Sequence, residues 1–317
     1  MAVTHNGFAI DPALQFGVLL RCPRCAANTT YLECPICAFQ MRVDEGVVQA
    51  LPPERESHFA RFAQDYQRIR FAEGRFSELE DFYLGLPYRD MTKRNSRQWQ
   101  IRARSYNYLL RHVLKRNLSH GDFILDVGAG NCWMSYRLAL AGYRPIAADL
   151  LANGRDGLRA ARHYRKHLPD LFPLFRAEME RLPFQDEQFD AVIFNASFHY
   201  SEDYEATLRE ALRCVRKNGM VIVSDTPWYS RDESGRQMLA ERRALFLKKY
   251  ETSSHSIASQ EYLTDERLRA MELSLSIRWE LHSPNYGLKW AMRPLVAKWR
   301  RRREPSRFRI YVARKRA

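Results

Sequence analysis

Two early stretches of the chain repeat apolar residues at helical spacing. After Pro52-Pro53, Phe59, Phe62, Tyr66 and Ile69 share one stripe, which predicts an amphipathic helix from Glu54 with an Arg-rich outer face. A second predicted helix runs from Ser96 to Lys115, with Trp99, Ala103, Tyr106, Leu110 and Val113 on one side. From Gly121 the texture changes to short apolar runs: Phe123-Ile-Leu-Asp-Val, Pro145-Ile-Ala-Ala-Asp, Pro173-Leu-Phe-Arg-Ala, Phe189-Asp-Ala-Val-Ile-Phe-Asn and Gly219-Met-Val-Ile-Val-Ser-Asp. Helical patterns separate them, such as Tyr204 to Lys217 with Leu208, Leu212 and Val215 inward and Gly219 as the stop. That alternation predicts an α/β protein whose parallel sheet is covered on both faces. Residues 231–272 read as charged helices, and Ile277-Arg-Trp-Glu-Leu and Phe308-Arg-Ile-Tyr-Val as late strands.

Composition narrows the class. The chain has 317 residues, 45% apolar and 28% charged, a balance that excludes a wholly disordered protein. No run approaches the ~18 apolar residues of a membrane span, and the start lacks a basic segment followed by an apolar one. A cytoplasmic protein is therefore expected. The net charge is +14, and much of the excess lies after Lys289, in Lys298, Arg300 to Arg303, Arg307, Arg309 and Arg314 to Arg316, against the single acid Glu304.

Four of the six cysteines form two CPxC pairs, Cys22/Cys25 and Cys34/Cys37. Four thiolates offered by two tight turns suit a closed, structural tetrahedral zinc site in a small ribbon; iron or a redox dithiol pair are the alternatives. Both knuckles carry Ala (Ala26, Ala38) where such turns favour Gly. The sequence Gly46-Val-Val-Gln-Ala-Leu reads as a closing strand.

The richest chemistry lies in Leu125-Asp-Val-Gly-Ala-Gly-Asn-Cys-Trp, a strand running into a Gly-rich turn and a helix start. Trp133 stands where a dinucleotide fingerprint has its third glycine, which disfavours NAD or FAD. Asp149 ends the next apolar run, where a carboxylate can accept both hydroxyls of a ribose or cap the following helix.

With Ala177-Glu-Met-Glu-Arg-Leu-Pro-Phe, Phe189-Asp-Ala-Val-Ile-Phe-Asn and Leu208-Arg-Glu-Ala-Leu-Arg-Cys-Val-Arg-Lys-Asn-Gly in order, residues 121–228 resemble the class I S-adenosylmethionine (SAM)-dependent methyltransferases. The branch is the broad one that includes the ubiquinone and menaquinone biosynthesis enzymes. The resemblance implies a Rossmann-like, doubly wound, seven-stranded α/β sheet with an antiparallel last strand near Phe308 to Val312. It also implies that Gly128, Ala129 and Gly130 pass the methionine part of SAM, with Asp126 near its amino group. Asp149 would hold the ribose, Glu178 and Met179 would flank the adenine, and Asn195 would lie beside the methyl. His199 and Tyr200, just after the fourth strand, are the candidate catalytic residues, with pocket walls or cap residues as the other reading. Arg102, on the helix before the first strand, is a candidate ligand contact, while Trp99 and Tyr106 on the same helix are expected in the core.

The expected organisation is a zinc-ribbon-like segment over 1–51, a helical linker with a cofactor-covering helix over 52–118, the SAM-binding core over 119–230, and a lid, last two strands and basic tail over 231–317. The expected acceptor is a small molecule or lipid precursor. A Cys ribbon ahead of this core is also similar to bacterial large-subunit ribosomal RNA guanine methyltransferases, so an RNA acceptor is the alternative. Ribbon and tail would then grip phosphates while Trp290 and Trp299 stack on bases. A basic surface attracted to anionic lipid is a further reading of the tail.

Overall fold

The structure is a computed structural model that describes residues 16–316. The readings made of the first residues, including the expected lack of a leader, lie outside the described residues. The strands are β1 (Leu20–Arg21), β2 (Asn28–Thr29), β3 (Arg42–Asp44), β4 (Val47–Gln49), β5 (Phe123–Val127), β6 (Arg144–Asp149), β7 (Leu174–Arg176), β8 (Phe189–Asn195), β9 (Val215–Ser224), β10 (Trp279–His282) and β11 (Ile310–Arg314). Nine of them form one sheet in the order β10-β11-β9-β8-β5-β6-β7-β4-β3. The pairs from β4 to β9 through β7, β6, β5 and β8 are parallel, while β11 runs antiparallel between β9 and β10. The late antiparallel strand predicted near Phe308 is thus present.

Side chains alternate across the sheet with the two-residue strand period. Leu125, Val127, Val192, Phe194, Val221 and Val223 enter one core, and Ile124, Ala191, Ile193, Met220 and Ile222 enter the other. Burial on both faces explains why these strands read as nearly continuous apolar runs.

The ribbon is not a free appendage. Leu20, Cys22, Cys34 and Met41 belong to the first of those cores, and Arg21 and Gln185 exchange backbone bonds with Pro183 and Leu19 across the junction (3.1 and 3.0 Å). Its closing hairpin, β3–β4, extends the sheet beyond β7. The seven-stranded expectation therefore becomes seven strands plus a hairpin supplied by the ribbon.

The helices are α1 (Pro53–Ala72), α2 (Glu80–Gly85), α3 (Ser96–Tyr108), α4 (Trp133–Leu140), α5 (Tyr204–Cys214), α6 (Asp232–Tyr250), α7 (Asp265–Leu275), α8 (Leu288–Ala291) and α9 (Arg293–Trp299). The coil of α3 continues through a wider π-helical turn, Leu109–Leu114, to Asn117. Helix α5 stops at Cys214, short of the predicted Lys217. The carbonyls of Arg213 and Cys214 accept from the N–H groups of Glu187 and Gln188 (3.0 and 2.8 Å), so Val215 and Gly219 fall in β9 instead of ending a helix.

At the carboxyl end of β5, Gly128 holds a φ of +73°. A Cβ there would lie 2.2 Å from the Cβ of Ser197, whose hydroxyl donates to the Val127 carbonyl at 2.5 Å. Gly128→Ala therefore meets both a left-handed backbone and a filled space. It should destabilise the protein by about 2–5 kcal/mol in urea unfolding. A loss below about 1 kcal/mol would show that the turn does not pack on Ser197.

Candidate active site

Strand order reverses at β5, whose neighbours β6 and β8 lead to opposite halves of the sheet. Ligands of open parallel sheets bind outside the carboxyl ends at such a point. There the turn Gly128–Asn131 is tied to the end of β6. Gly128 and Ala129 donate to the Ala148 carbonyl (2.8 and 3.1 Å), and Gly130 donates to Asp149 Oδ2 at 2.8 Å. The other oxygen of Asp149 takes the Leu151 N–H at 2.7 Å. Cys132 adopts a φ of +62° and opens α4, its thiol buried and its pKa pushed up by that burial. The indole of Trp133 turns into the core, edge-on to Trp99 and Tyr106 at 6.0 and 5.6 Å, which leaves the main cleft open.

Two carboxyls at this point are held above their usual range. Burial raises Asp126 to about 7, against the pull of the Ser135 hydroxyl that donates to it at 2.6 Å. Burial likewise raises Asp149 to about 6, although the Leu151 and Gly130 N–H groups favour its charged form.

The cleft is about 800 Å³, and its walls bring together Gly128, Gly130, Asp149, Glu178, Met179 and Tyr200. An adjoining lobe of about 420 Å³ is lined by Asp126, Ala129, Asn131, Arg102 and Asn195. Asn195 is the last residue of β8. The guanidinium of Arg102 lies over the Trp99 ring at 4.9 Å, and burial pulls it down to about 10.

The roof comes from α1. Phe59, Phe62 and Tyr66 line the cleft, joined by Ile257 from the segment after α6. The sequence pattern found this apolar stripe but read the arginines as an outer, solvated face. Two of them instead clasp the core. Arg55 grips Glu178 through Nε (2.9 and 3.0 Å) and Nη2 (2.7 Å), and Arg70 pairs with Asp156. His58 adds a 2.7 Å contact to Glu202. Glu178 lines the cleft, with both its oxygens already engaged by Arg55. Arg55, Arg70 and Asp156 escaped the sequence reading, and Phe59, Phe62 and Tyr66 were read as a helix stripe but not as cleft wall; the signal for both was an aromatic stripe flanked by arginines just before the motif-bearing core.

The two candidate catalytic residues part company. Tyr200 faces the cleft, its ring 5.8 and 5.6 Å from those of Phe62 and Tyr66, with burial raising its phenol. His199 is not among the lining residues. Its Nδ1 is buried without a partner, and burial lowers its pKa to about 4.

The four ribbon thiols converge, with every Sγ within 4.8 Å of the others; Cys22–Cys37 is 3.6 Å and Cys25–Cys34 is 3.4 Å. A tetrahedron of ~2.3 Å metal–sulfur bonds has edges of roughly 3.8 Å, so the set fits a metal ion with little adjustment. The knuckles close through Ala26 N–H to Cys22 and Ala38 N–H to Cys34 (2.9 and 3.0 Å), with both alanines at positive φ.

Comparison with known proteins bears on the same segment. Residues 125–223 match the family described as a methyltransferase domain. A demethylmenaquinone methyltransferase of Mycobacterium marinum is 34% identical over 105 residues, 33% of this chain and 42% of the relative. A sarcosine/dimethylglycine N-methyltransferase of Halorhodospira halochloris is 31% identical over 112 residues, 35% of this chain and 40% of the relative. The chain thus spans about two-fifths of the length of the curated relatives it matches. Among solved structures, a SAM-dependent methyltransferase of Thermotoga maritima aligns with a TM-score of 0.45 at 19% identity, covering 71% of this chain and 96% of that one. A phosphoethanolamine N-methyltransferase of Haemonchus contortus, in complex with SAM, aligns with a TM-score of 0.46 at 15% identity, covering 67% and 53%. Residues 125–223 of this chain are accordingly similar to a methyltransferase domain.

Proposed function

We propose that the protein transfers the methyl group of SAM to a small lipid-precursor acceptor, and that Asp126, Asp149 and the turn from Gly128 to Gly130 hold the donor. The observation that carries this reading is the sign of the cleft. In a chain of net charge +14, the lining of the main cleft holds Asp149, Asp156, Glu178, Glu180 and Glu202 and no Lys or Arg. Arg55 pairs with Glu178, and Arg70, which lines the adjoining lobe with Arg102, pairs with Asp156; the other carboxylates leave the main cleft a field suited to a sulfonium cation. Transfer is an in-line displacement: the nucleophile forms its bond to the methyl carbon as the carbon–sulfur bond breaks, its electron pair passing to sulfur. The product has lost the positive charge, so the same field favours the donor over the spent cofactor.

Asp126 and Asp149 would bind the methionine ammonium and the ribose, and Met179 would pack on the adenine. Glu178 would reach the adenine amine only by sharing oxygens with Arg55. The reaction's main demand is alignment and a dry site, which the Phe59–Phe62–Tyr66 roof supplies. Tyr200 and Asn195 would wall the methyl group. A base role for His199 has little support, because a group with a pKa of about 4 that lies off the cleft is a weak proton acceptor there.

The small acceptor is favoured by the apolar roof and by the similarity to a demethylmenaquinone methyltransferase and a sarcosine/dimethylglycine N-methyltransferase. Of the tail's two tryptophans only Trp299 is free to stack on a base, since Trp290 stacks on Phe308 with centroids 5.6 Å apart. The ribbon thiolates Cys22, Cys25, Cys34 and Cys37 would hold zinc. With all four positions filled by protein, its part is structural, on the order of 10 kcal/mol of folding energy.

Three measurements test this. Calorimetry should detect one SAM per chain. Affinity should be at least about tenfold weaker near about pH 5.5 than near about pH 7.5, because raised carboxyls are protonated on the acid side and lose the ammonium; Asp126→Asn should flatten that dependence. Incubation with methyl-labelled SAM and fractionated extract should place the label in the lipid fraction, and label in RNA instead would overturn the acceptor. Elemental analysis should find one zinc per chain, lost together with several degrees of melting temperature in Cys25→Ser; iron in its place would overturn the metal.

A further inference from the structure

The basic stretch after Tyr286 carries an apolar face that no part of the described chain covers. Helices α8 and α9 join through Met292, whose N–H donates to Leu288 and whose carbonyl accepts from Val296 (3.0 and 3.1 Å), so the two read as one interrupted coil. Along it Leu288, Met292, Leu295, Val296 and Trp299 recur every three or four residues, which places them on one side. Leu288, Leu295 and Trp299 are 78%, 61% and 81% exposed. The other five tryptophans are buried or half-buried, so this indole stands apart. The opposite side packs inward, with Trp290 on Phe308 and Arg293 over the Trp290 ring at 3.8 Å.

Charge frames this face. Residues 288–303 contain seven Lys or Arg and no acid. Arg293 is turned in and Arg303 is committed to Glu241 at 2.6 Å, while Lys289, Lys298, Arg300, Arg301 and Arg302 remain exposed beside the apolar stripe. The element is also fixed in place. Tyr286, just before α8, meets the Ser105 hydroxyl at 2.8 Å, and Ser105 donates at 2.5 Å to Asp225, which follows β9 at the carboxyl edge where the cleft opens.

We propose that α8 and α9 are an interfacial anchor that lays the protein on an anionic phospholipid surface. A short coil with an apolar stripe, a terminal Trp and flanking cations suits the boundary between headgroups and acyl chains: the aliphatic side chains enter the acyl edge, the indole sits at the headgroups, and the cations pair with phosphates. Nucleic acid matches only part of this surface. It would satisfy the arginines and stack on Trp299, but it offers nothing to Leu288, Met292, Leu295 and Val296. The anchor does not cross the membrane, and no described helix is long and apolar enough to do so. The proposal does not depend on the identity of the methyl acceptor.

Flotation of the full chain with vesicles at physiological salt tests it. The protein should float with phosphatidylcholine vesicles that contain phosphatidylglycerol and stay behind with phosphatidylcholine alone. Leu295→Ser with Trp299→Ser should lower partition at least about tenfold, and replacing Arg300, Arg301 and Arg302 by Gln should lower it about fivefold per charge. Both variants alter exposed side chains, so melting temperature and SAM binding should match the parent protein. As a second readout, the emission difference between the parent protein and Trp299→Phe should shift to the blue on adding anionic vesicles. Absence of flotation, equal flotation with neutral vesicles, or unchanged partition of the serine variant would overturn the proposal. So would an RNA oligonucleotide that binds the tail when vesicles do not.

Discussion

Asp149 fastens the turn after β5 to the end of β6, and the cleft depends on that bond. Its carboxylate receives Gly130 on one oxygen and Leu151 on the other, at 2.8 and 2.7 Å. This fixes a backbone with positive φ at Gly128, Gly130 and Cys132, a shape that side-chain packing alone would not maintain. The constraint carries an electrostatic cost, since the group is buried and its charged form disfavoured. A carboxyl kept near neutrality by burial is the kind of group that gains most when a hydroxyl or ammonium of a ligand arrives.

Around that turn, charge is sorted by position. The excess of arginine lies on the surface and in the tail, while the cleft collects carboxylates. Arg55 and Arg70 reach these acids from the roof helix and fasten it down at both ends, so α1 is at once a lid and a counter-charge. Each pair has at least one largely buried member, which makes its loss more costly than that of an exposed pair. The aromatic stripe between them excludes water from the space where a displacement reaction would occur.

The ribbon takes part in the same scheme. Because Leu20, Cys22, Cys34 and Met41 share a core with β5, β6 and β8, and because β3–β4 extends the sheet, the ordered ribbon sets where α1 begins. A metal held by Cys22, Cys25, Cys34 and Cys37 would therefore stabilise the roof of the cleft indirectly, through the chain segment from Val47 to Pro53.

Local features were legible in the sequence alone. The glycine turn with Asp126 and Asp149, the alternating strands, the two Cys knuckles with their strained alanines and the stripe of α1 each follow from backbone requirements or periodicity within a few residues. Only the tertiary structure decided the rest. It turned Arg55 and Arg70 inward to acids 123 and 86 residues away, and ended α5 at Cys214 with donors from the turn that precedes β8. It also paired β4 with β7, and put Tyr200 in the cleft but its neighbour His199 outside it. These outcomes depend on which groups meet across long separations, and neither spacing nor composition records the partner that satisfies a charge or a carbonyl once it is buried.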